Sequence, residues 1–225
     1  MERYVVRVWL PDRPGALGLV ASRIGSVRAA IVGIEILEHG GGRAIDELVV
    51  ELPDPALLPL LIDEVNIVDD VDVEDVRPAP PTLRDPRVDA LETVATLVEL
   101  SSRDAVLDAL LEHVRIDFEG DWAVVVEAGP PVITRALGPA PSAGWLRAFL
   151  DGAGSSTAST DGVVSGPDDV AWAPLAGAGL DLVLGRCGRP LRARERRQLC
   201  ALARIVGARL RQLGEERAAS VTPAS

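Results

Sequence analysis

The sequence predicts an α+β fold divided into two domains, and three observations support this. Short strand-like apolar segments alternate with segments of helical spacing up to Val76, a proline-rich stretch interrupts the pattern, and a second series of helices and strands continues to Leu213. The chain has 225 residues, of which 48% are hydrophobic and 25% are charged. This length and balance are sufficient for two buried cores of ordinary size.

The first domain, residues 1–77, is predicted to be a βαββαβ unit. Its strands are rich in valine and isoleucine, and its helices place apolar residues three or four positions apart. The predicted order is strand, helix, strand, strand, helix, strand, over residues 4–10, 17–27, 31–37, 44–52, 54–65 and 67–76. Two such halves form one four-stranded antiparallel sheet with both helices on one face, a ferredoxin-like arrangement.

A linker is predicted at residues 78–87, because proline removes ladder hydrogen bonds and stiffens the chain. Residues 88–214 are predicted to form the second domain: two helices, two strands, a short helix, a strand hairpin and a long closing helix. The Gly/Ser/Thr composition of residues 152–166 indicates a mobile loop. Residues 215–225 are predicted to be a disordered tail.

The charge pattern disfavours several classes of partner. A formal net charge of -11 repels nucleic acid and anionic membranes, so we expect neither as a partner. All 23 basic residues are arginines, so no lysine is present for a Schiff base or a Walker-type phosphate site. Without an apolar signal core at the start or a run of membrane-spanning length, we expect a cytoplasmic protein.

Catalytic and metal-binding patterns are also missing from the sequence. Two histidines, His39 and His113, and two cysteines, Cys187 and Cys200, have no metal-ligand spacing. The sequence contains no GxSxG turn and no P-loop. We therefore expect a protein that is not an enzyme and that has no metal or cofactor.

The turn Asp12-Arg13-Pro14-Gly15-Ala16-Leu17 is the most informative motif. Asp12 is expected to cap the following helix, and Pro14 suits a first helical turn, where its missing N–H needs no acceptor. Gly15 has no side chain, so a ligand can approach the backbone closely. The unpaired amides at the helix start favour a carboxylate.

This motif, inside the predicted strand and helix order of residues 4–77, resembles the ACT family of regulatory domains. The resemblance implies a homodimer formed by side-by-side pairing, and an amino acid or similar small effector bound between subunits. By position, the ligand-binding residues are Asp12, Arg13, Pro14, Gly15, Ala16 and Leu17 from one subunit and Ala30, Ile31 and Val32 from its neighbour. Ala30 departs from the family, because many ligand-binding members have an asparagine there.

The second domain resembles the GAF family through strand 170–175, the segment 179–186 and the long terminal helix. Trp122, Trp145 and Trp172 either line a pocket or belong to the core, and core is the commoner role. The apolar residues of the terminal helix form either a coiled-coil seam or a core-facing stripe. The arginines between Arg189 and Arg197 are interpreted as a solvated helix face.

Three functions remain open from the sequence. The first is a non-enzymatic sensor for signal transduction, which binds an effector in its ACT-like domain. Binding would change the GAF-like domain allosterically and, through it, a protein partner. The second is a ligand-free dimerisation and interaction scaffold. The third is a regulatory subunit of a metabolic enzyme.

Overall fold

The computed structural model describes residues 1–80, 86–129, 132–155 and 167–221. It divides the chain into two compact units, residues 1–85 and 86–225. Each unit is built around its own four-stranded antiparallel sheet. The mixed αβ composition predicted from the sequence is therefore confirmed.

The first unit has the predicted βαββαβ order. Its elements are β1 (Glu2–Pro11), α1 (Ala16–Ser26), β2 (Ala30–Gly40), β3 (Arg43–Leu52), a 3-10 turn (Pro55–Leu57), α2 (Leu58–Asn66) and β4 (Asp72–Pro78). The strands lie in the order β2-β3-β1-β4. Apolar residues of both helices and of one sheet face form a single core, so both helices cover the same face as expected.

Two details of the first unit differ from the prediction. The last strand begins at Asp72 instead of residue 67, because Val68 and Val71 turn inward to fill the core before the strand starts. β2 extends to Gly40 and carries two irregularities in its pairing with β3. These bulges place an extra residue on the edge strand and change which side chains face the helices.

The second unit places helices on both faces of its sheet. Its elements are α3 (Pro86–Glu99), α4 (Arg103–Asp117), β5 (Trp122–Glu127), β6 (Ile133–Leu137), α5 (Ala143–Ser155), β7 (Val170–Leu175), β8 (Leu180–Gly185) and α6 (Ala193–Val221). The strand order is β6-β5-β8-β7. Leu97 of α3, Leu110 of α4 and Val206 of α6 belong to one core, and Leu146 of α5 belongs to a second.

The end of the chain corrects one prediction. A disordered tail was expected from residue 215, but α6 continues to Val221. Glutamate, arginine and alanine after Gly214 are good helix formers, so the helix continues beyond its last core contact at Leu213. The stripe from Leu199 to Leu213 faces the core of its own unit. The prediction of a loop at 152–166 is wrong for residues 152–155, because α5 continues to Ser155, and the rest of that segment lies outside the described residues.

Candidate functional site

The turn after β1 holds the start of α1 against the β2–β3 hairpin. The backbone N–H of Asp12 donates to the carbonyl of Gly42 at 3.0 Å, and the N–H of Arg13 donates to the carbonyl of Pro11 at 2.8 Å. Gly15 then caps the helix with φ 90° and ψ −13°. This left-handed conformation strains any residue with a Cβ, so the motif requires glycine for its backbone shape.

The capping roles predicted for Asp12 and Pro14 are wrong. α1 begins later, at Ala16, and among the described residues no side chain caps it. The left-handed Gly15 stops the turn from joining the helix, which leaves Asp12 and Pro14 outside it. The first turn of α1 also contains no acidic residue. Within the first turn itself no carboxylate offsets the positive end of the helix dipole, and this end favours an anion.

The other residues of the predicted turn differ in accessibility. Arg13 and Pro14 are exposed, Leu17 is half-buried and Ala16 is 2% exposed. The backbone of Gly15 is open, with no atom within 4 Å of the place where a Cβ would stand. Of the predicted turn, the accessible surface is therefore formed by Asp12 to Gly15.

Asp46 of β3 is a buried carboxylate on the helix-covered face of the sheet. Asp46 pairs with Val8 of β1 and Ile36 of β2 and is only 3% exposed to solvent. Its Oδ1 is buried and accepts a hydrogen bond from no described residue. Burial raises the pKa of Asp46, because a charged carboxylate loses its hydration there, and the charge of His39 acts in the opposite direction.

His39, near the end of β2, lies between this carboxylate and the turn. Its Nδ1 is 3.3 Å from Oδ1 of Asp12, and its side chain is 66% exposed. It pairs with Ala44 on β3, two residues from Asp46. One corner of the sheet thus combines two carboxylates, an imidazole and an uncapped helix start.

The second half of the predicted site lies elsewhere in the chain. Ala30 pairs with Glu51 at one end of β3, whereas Arg43 at its other end pairs with Pro11, next to the turn. Glu51 lies eight residues along β3 from Arg43, a separation of about 27 Å at ~3.4 Å per residue. Within one chain, Ala30, Ile31 and Val32 do not meet the turn, so a shared pocket requires a second copy.

The β2 strand presents an apolar surface at the edge of the sheet. Val32, Ile34 and Ile36 are 40%, 52% and 55% exposed. Ile34 and Ile36 lie opposite Leu48 and Asp46 of β3, on the helix-covered face. An edge strand that is long and apolar has a strong tendency to pair with another strand.

An open depression of about 690 Å³ also borders Pro11. It is lined by Pro11, Gly42, Arg43 and residues 66–72. Arg43 is bound within it, with Asp72 at 3.1 Å and the ring of Trp9 5.2 Å below its guanidinium. Its acidic groups are solvated, so the depression offers less to a ligand than the buried carboxylate nearby.

The second unit brings its tryptophans together on the face that α5 covers. Trp122 and Trp172 pack against that core, and Trp122 meets Trp145 edge-to-face at 6.2 Å. Trp145 remains 40% exposed and stacks on Phe149 at 5.4 Å. The core role therefore holds for Trp122 and Trp172, while Trp145 borders solvent.

Asp181 of β8 lies on the same face and is 9% exposed. The indole N–H of Trp172 donates to its Oδ1 at 3.0 Å. Burial raises the pKa of Asp181, and the hydrogen bond from Trp172 lowers it in part.

The remaining polar residues noted in the sequence have structural environments. Nδ1 of His113 is 3.2 Å from the hydroxyl of Thr93, which also donates to Asp117 at 3.1 Å. Cys187 is exposed and Cys200 is half-buried, and both are free thiols. Burial raises the pKa of the Cys200 thiol, which makes it less reactive.

The prediction that the arginines between Arg189 and Arg197 form a solvated helix face is wrong for Arg189 and Arg196. The guanidinium of Arg196 donates to the carbonyls of Leu191 at 2.9 Å and Val170 at 2.8 Å, and Arg189 pairs with Glu119. Desolvation lowers the pKa of Arg196. These arginines fasten the start of α6 because the carbonyls around it need donors.

No described helix is both long and apolar enough to cross a membrane. Within the ranges that the structure describes, no three His, Cys, Asp or Glu side chains are grouped in a way that would hold a metal ion.

Comparisons with known proteins give similarities of fold only. No protein-family model and no curated protein matches the chain. Among solved structures, the ACT domain of a GTP pyrophosphokinase from Chlorobium tepidum is 18% identical, with a TM-score of 0.29 over 35% of this chain and 97% of that one. An ACT domain protein from Streptococcus pneumoniae is 13% identical, with a TM-score of 0.29 over 37% and 98%.

An unknown protein from Galdieria sulphuraria is similar over a longer stretch. It is 15% identical, with a TM-score of 0.34 over 96% of this chain and 92% of that chain. These values are low, so the description of the first unit as a βαββαβ sheet rests on its own topology and register.

Proposed function

We propose that the chain is a non-enzymatic regulatory protein whose first unit binds a free amino acid at the corner formed by the β1–α1 turn. The observation that carries this proposal is the carboxylate of Asp46, which is buried opposite Val8, three residues before Pro11 at the end of β1, and whose Oδ1 has no donor among the described residues. Leaving a buried polar group unpaired costs about 1–3 kcal/mol, more for a charged group. A ligand that supplies the donor would recover this free energy.

The chemistry of the corner matches the two charges of an amino acid. The carboxylates of Asp12 and Asp46 favour an ammonium group, and the uncapped start of α1 after Gly15 favours a carboxylate. Ile36 lies directly opposite Asp46 and is exposed, so an apolar side chain has a surface to contact. The proposed effector is therefore a small apolar amino acid, with L-valine as the representative probe.

A second copy of the chain completes the proposed site. Pairing of two β2 edges would cover Val32, Ile34 and Ile36 and would carry one copy's Ala30, Ile31 and Val32 towards the other copy's turn. An effector bound between copies stabilises one dimer geometry. That bias is the signal that the second unit, proposed to be GAF-like, passes on to a partner.

A panel of ligands tests the proposal directly. Thermal unfolding of the full chain is followed with each of the twenty L-amino acids and with common nucleotides at millimolar concentration. A ligand present at 100 times its Kd stabilises by about 2.7 kcal/mol, which in a chain of this size raises Tm by roughly 5–10 °C. L-valine is expected in the responding group, and Asp12→Asn is expected to reduce its effect.

The scaffold alternative is favoured by one observation, the apolar residue Ala30 in place of a polar ligand contact. If no compound in the panel raises Tm while the chain remains a dimer by light scattering, the effector proposal is wrong and the scaffold function is supported. A response that Asp12→Asn leaves unchanged would place the effector outside this corner.

A further inference from the structure

His39 occupies the position between the two carboxylates of the candidate site. Its Nδ1 is 3.3 Å from the Asp12 carboxylate, and its charge acts on the Asp46 carboxylate from the neighbouring strand. Most of its side chain is open to solvent. An imidazolium at this place would lie against the Asp12 oxygen that an effector ammonium would also need, and its charge would act on Asp46 without a direct contact.

The electrostatic environment of His39 is set by several elements. The charged side chains nearest in the strand pairing and the turn are Asp12, Arg13, Glu38, Arg43 and Asp46. Arg43 is engaged by Asp72, on the side of the depression, and Arg13 is exposed at the turn. The imidazole is therefore the cation placed to act on both Asp12 and Asp46.

Two cations cannot share these carboxylates without repulsion, because like charges within a few ångströms disfavour each other. Imidazoles as a class change charge between pH 5 and 8, whereas the ammonium of a free amino acid stays charged over that interval. Replacement of an imidazolium by an ammonium at the same oxygens therefore requires the imidazole to give up its proton or to move away.

We propose that His39 is a tethered cation that competes with the effector's ammonium group for Asp12 and Asp46. This inference rests on the proposed function. The charged form of the imidazole and the bound ammonium exclude each other, so whatever proton the imidazole carries passes to the buffer when the effector binds. The affinity for an amine-bearing effector rises with pH, and the site releases its ligand when the surroundings become acidic.

Calorimetric titration of the full chain with L-valine tests the competition. On the order of tenfold tighter binding is expected at pH 8.0 than at pH 5.5, which is the effect of about 1.4 kcal/mol of ion-pair competition. At pH 6.5, titrations in two buffers with different ionisation enthalpies should show release of a fraction of a proton for each ligand bound.

Two variants separate the charge of His39 from its shape. His39→Gln remains neutral at every pH, so its affinity for L-valine at pH 5.5 should exceed that of the wild type, and its affinity should change less between pH 5.5 and 8.0; the change that remains comes from Asp46, whose pKa burial raises. His39→Arg is a permanent cation, so its affinity should be roughly tenfold lower than that of the wild type at pH 8.0. His113→Gln is the control, because His113 is the other histidine of the chain and contacts Thr93 in the second unit.

The outcomes distinguish the two claims. If the wild type binds L-valine equally at both pH values, or if His39→Gln keeps the full pH dependence of the wild type, the competition is disproved while the effector site stands. A wild type that fails to bind L-valine at either pH overturns both the effector assignment and the competition. A pH dependence that His113→Gln abolishes would also overturn the role of His39.

Discussion

Among the described residues, each unit buries one aspartate on a sheet strand, and the two have different hydrogen-bond partners. Asp46 on β3 and Asp181 on β8 are 3% and 9% exposed, and burial raises the pKa of both. Asp181 accepts the indole N–H of Trp172, whereas Oδ1 of Asp46 accepts no hydrogen bond from the described residues. The difference is consistent with a structural role for Asp181 and is the basis of our proposal that Asp46 binds a ligand.

A buried arginine in the second unit, like Asp181, has hydrogen-bond partners within the unit. Arg186 is 3% exposed, yet its guanidinium is 2.7 Å from Glu195 and donates to the carbonyls of Phe118 and Arg189, each at 2.9 Å. Both buried charged groups, Asp181 and Arg186, thus have hydrogen-bond partners within this unit. Such networks stabilise a unique packing only while every member is satisfied.

The largest expected effect follows from breaking that network. Arg186→Met leaves Glu195 and several carbonyls without their donor, so the free energy of unfolding should fall by about 3–5 kcal/mol. Urea denaturation followed by tryptophan fluorescence measures this. Arg147→Met is the matched control, because Arg147 and Asp151 form an exposed ion pair whose loss should cost less than about 1 kcal/mol. Equal losses for the two variants would disprove the structural role of Arg186.

A smaller effect is expected when Asp181 loses its donor. Trp172→Phe keeps the aromatic packing but removes the N–H, so the second unit should lose roughly 1–3 kcal/mol. A double-mutant cycle with Asp181→Asn should show coupling between the two positions. Additive effects in that cycle would mean that the hydrogen bond contributes nothing.

Asp46→Asn should raise the free energy of unfolding, whereas the two substitutions above lower it. Removing a buried charge that has no donor among the described residues should stabilise the ligand-free chain by about 1 kcal/mol at neutral pH. Thermal unfolding of the variant without ligand checks this. A destabilisation of similar size would show that Asp46 contributes to folding and would remove the distinction from Asp181.

The smallest effect concerns pH. A carboxyl group whose pKa is raised by folding binds more protons in the folded chain than in the unfolded chain. Its contribution therefore makes stability fall as the pH rises from the unfolded-state pKa through the raised folded-state pKa. Asp46→Asn should remove this part of the slope on the acidic side of neutrality. A variant whose stability profile runs parallel to that of the wild type would contradict the raised pKa.

The fold of the first unit was accessible from sequence because hydrophobic spacing and turn residues agree along it. In the second unit, β7 falls at the predicted residues 170–175, whereas α6 runs beyond residue 214, the predicted end of the domain. Helix ends after the last core residue are set by local propensity and not by burial, which explains the error at residue 215.

The candidate site was only partly visible in the sequence. Gly15 was identified by the turn motif, but Asp46 was missed although its strand carries the signal. Ala44, Leu48, Val50 and Leu52 are buried on one face, and the period of two places Asp46 on that apolar face. The closeness of His39 to Asp12 depends on hairpin register and two bulges, which spacing does not reveal.

The affinity of matched aspartate variants for L-valine tests the central claim most directly. Calorimetric titration at pH 8.0 compares the wild type with Asp46→Asn and Asp181→Asn, each as the full chain. Asp46→Asn is predicted to bind at least about tenfold more weakly, the effect of roughly 1.4 kcal/mol, while Asp181→Asn should bind like the wild type. Equal affinities for all three proteins, or a loss confined to Asp181→Asn, would contradict the assignment of Asp46 to the effector site.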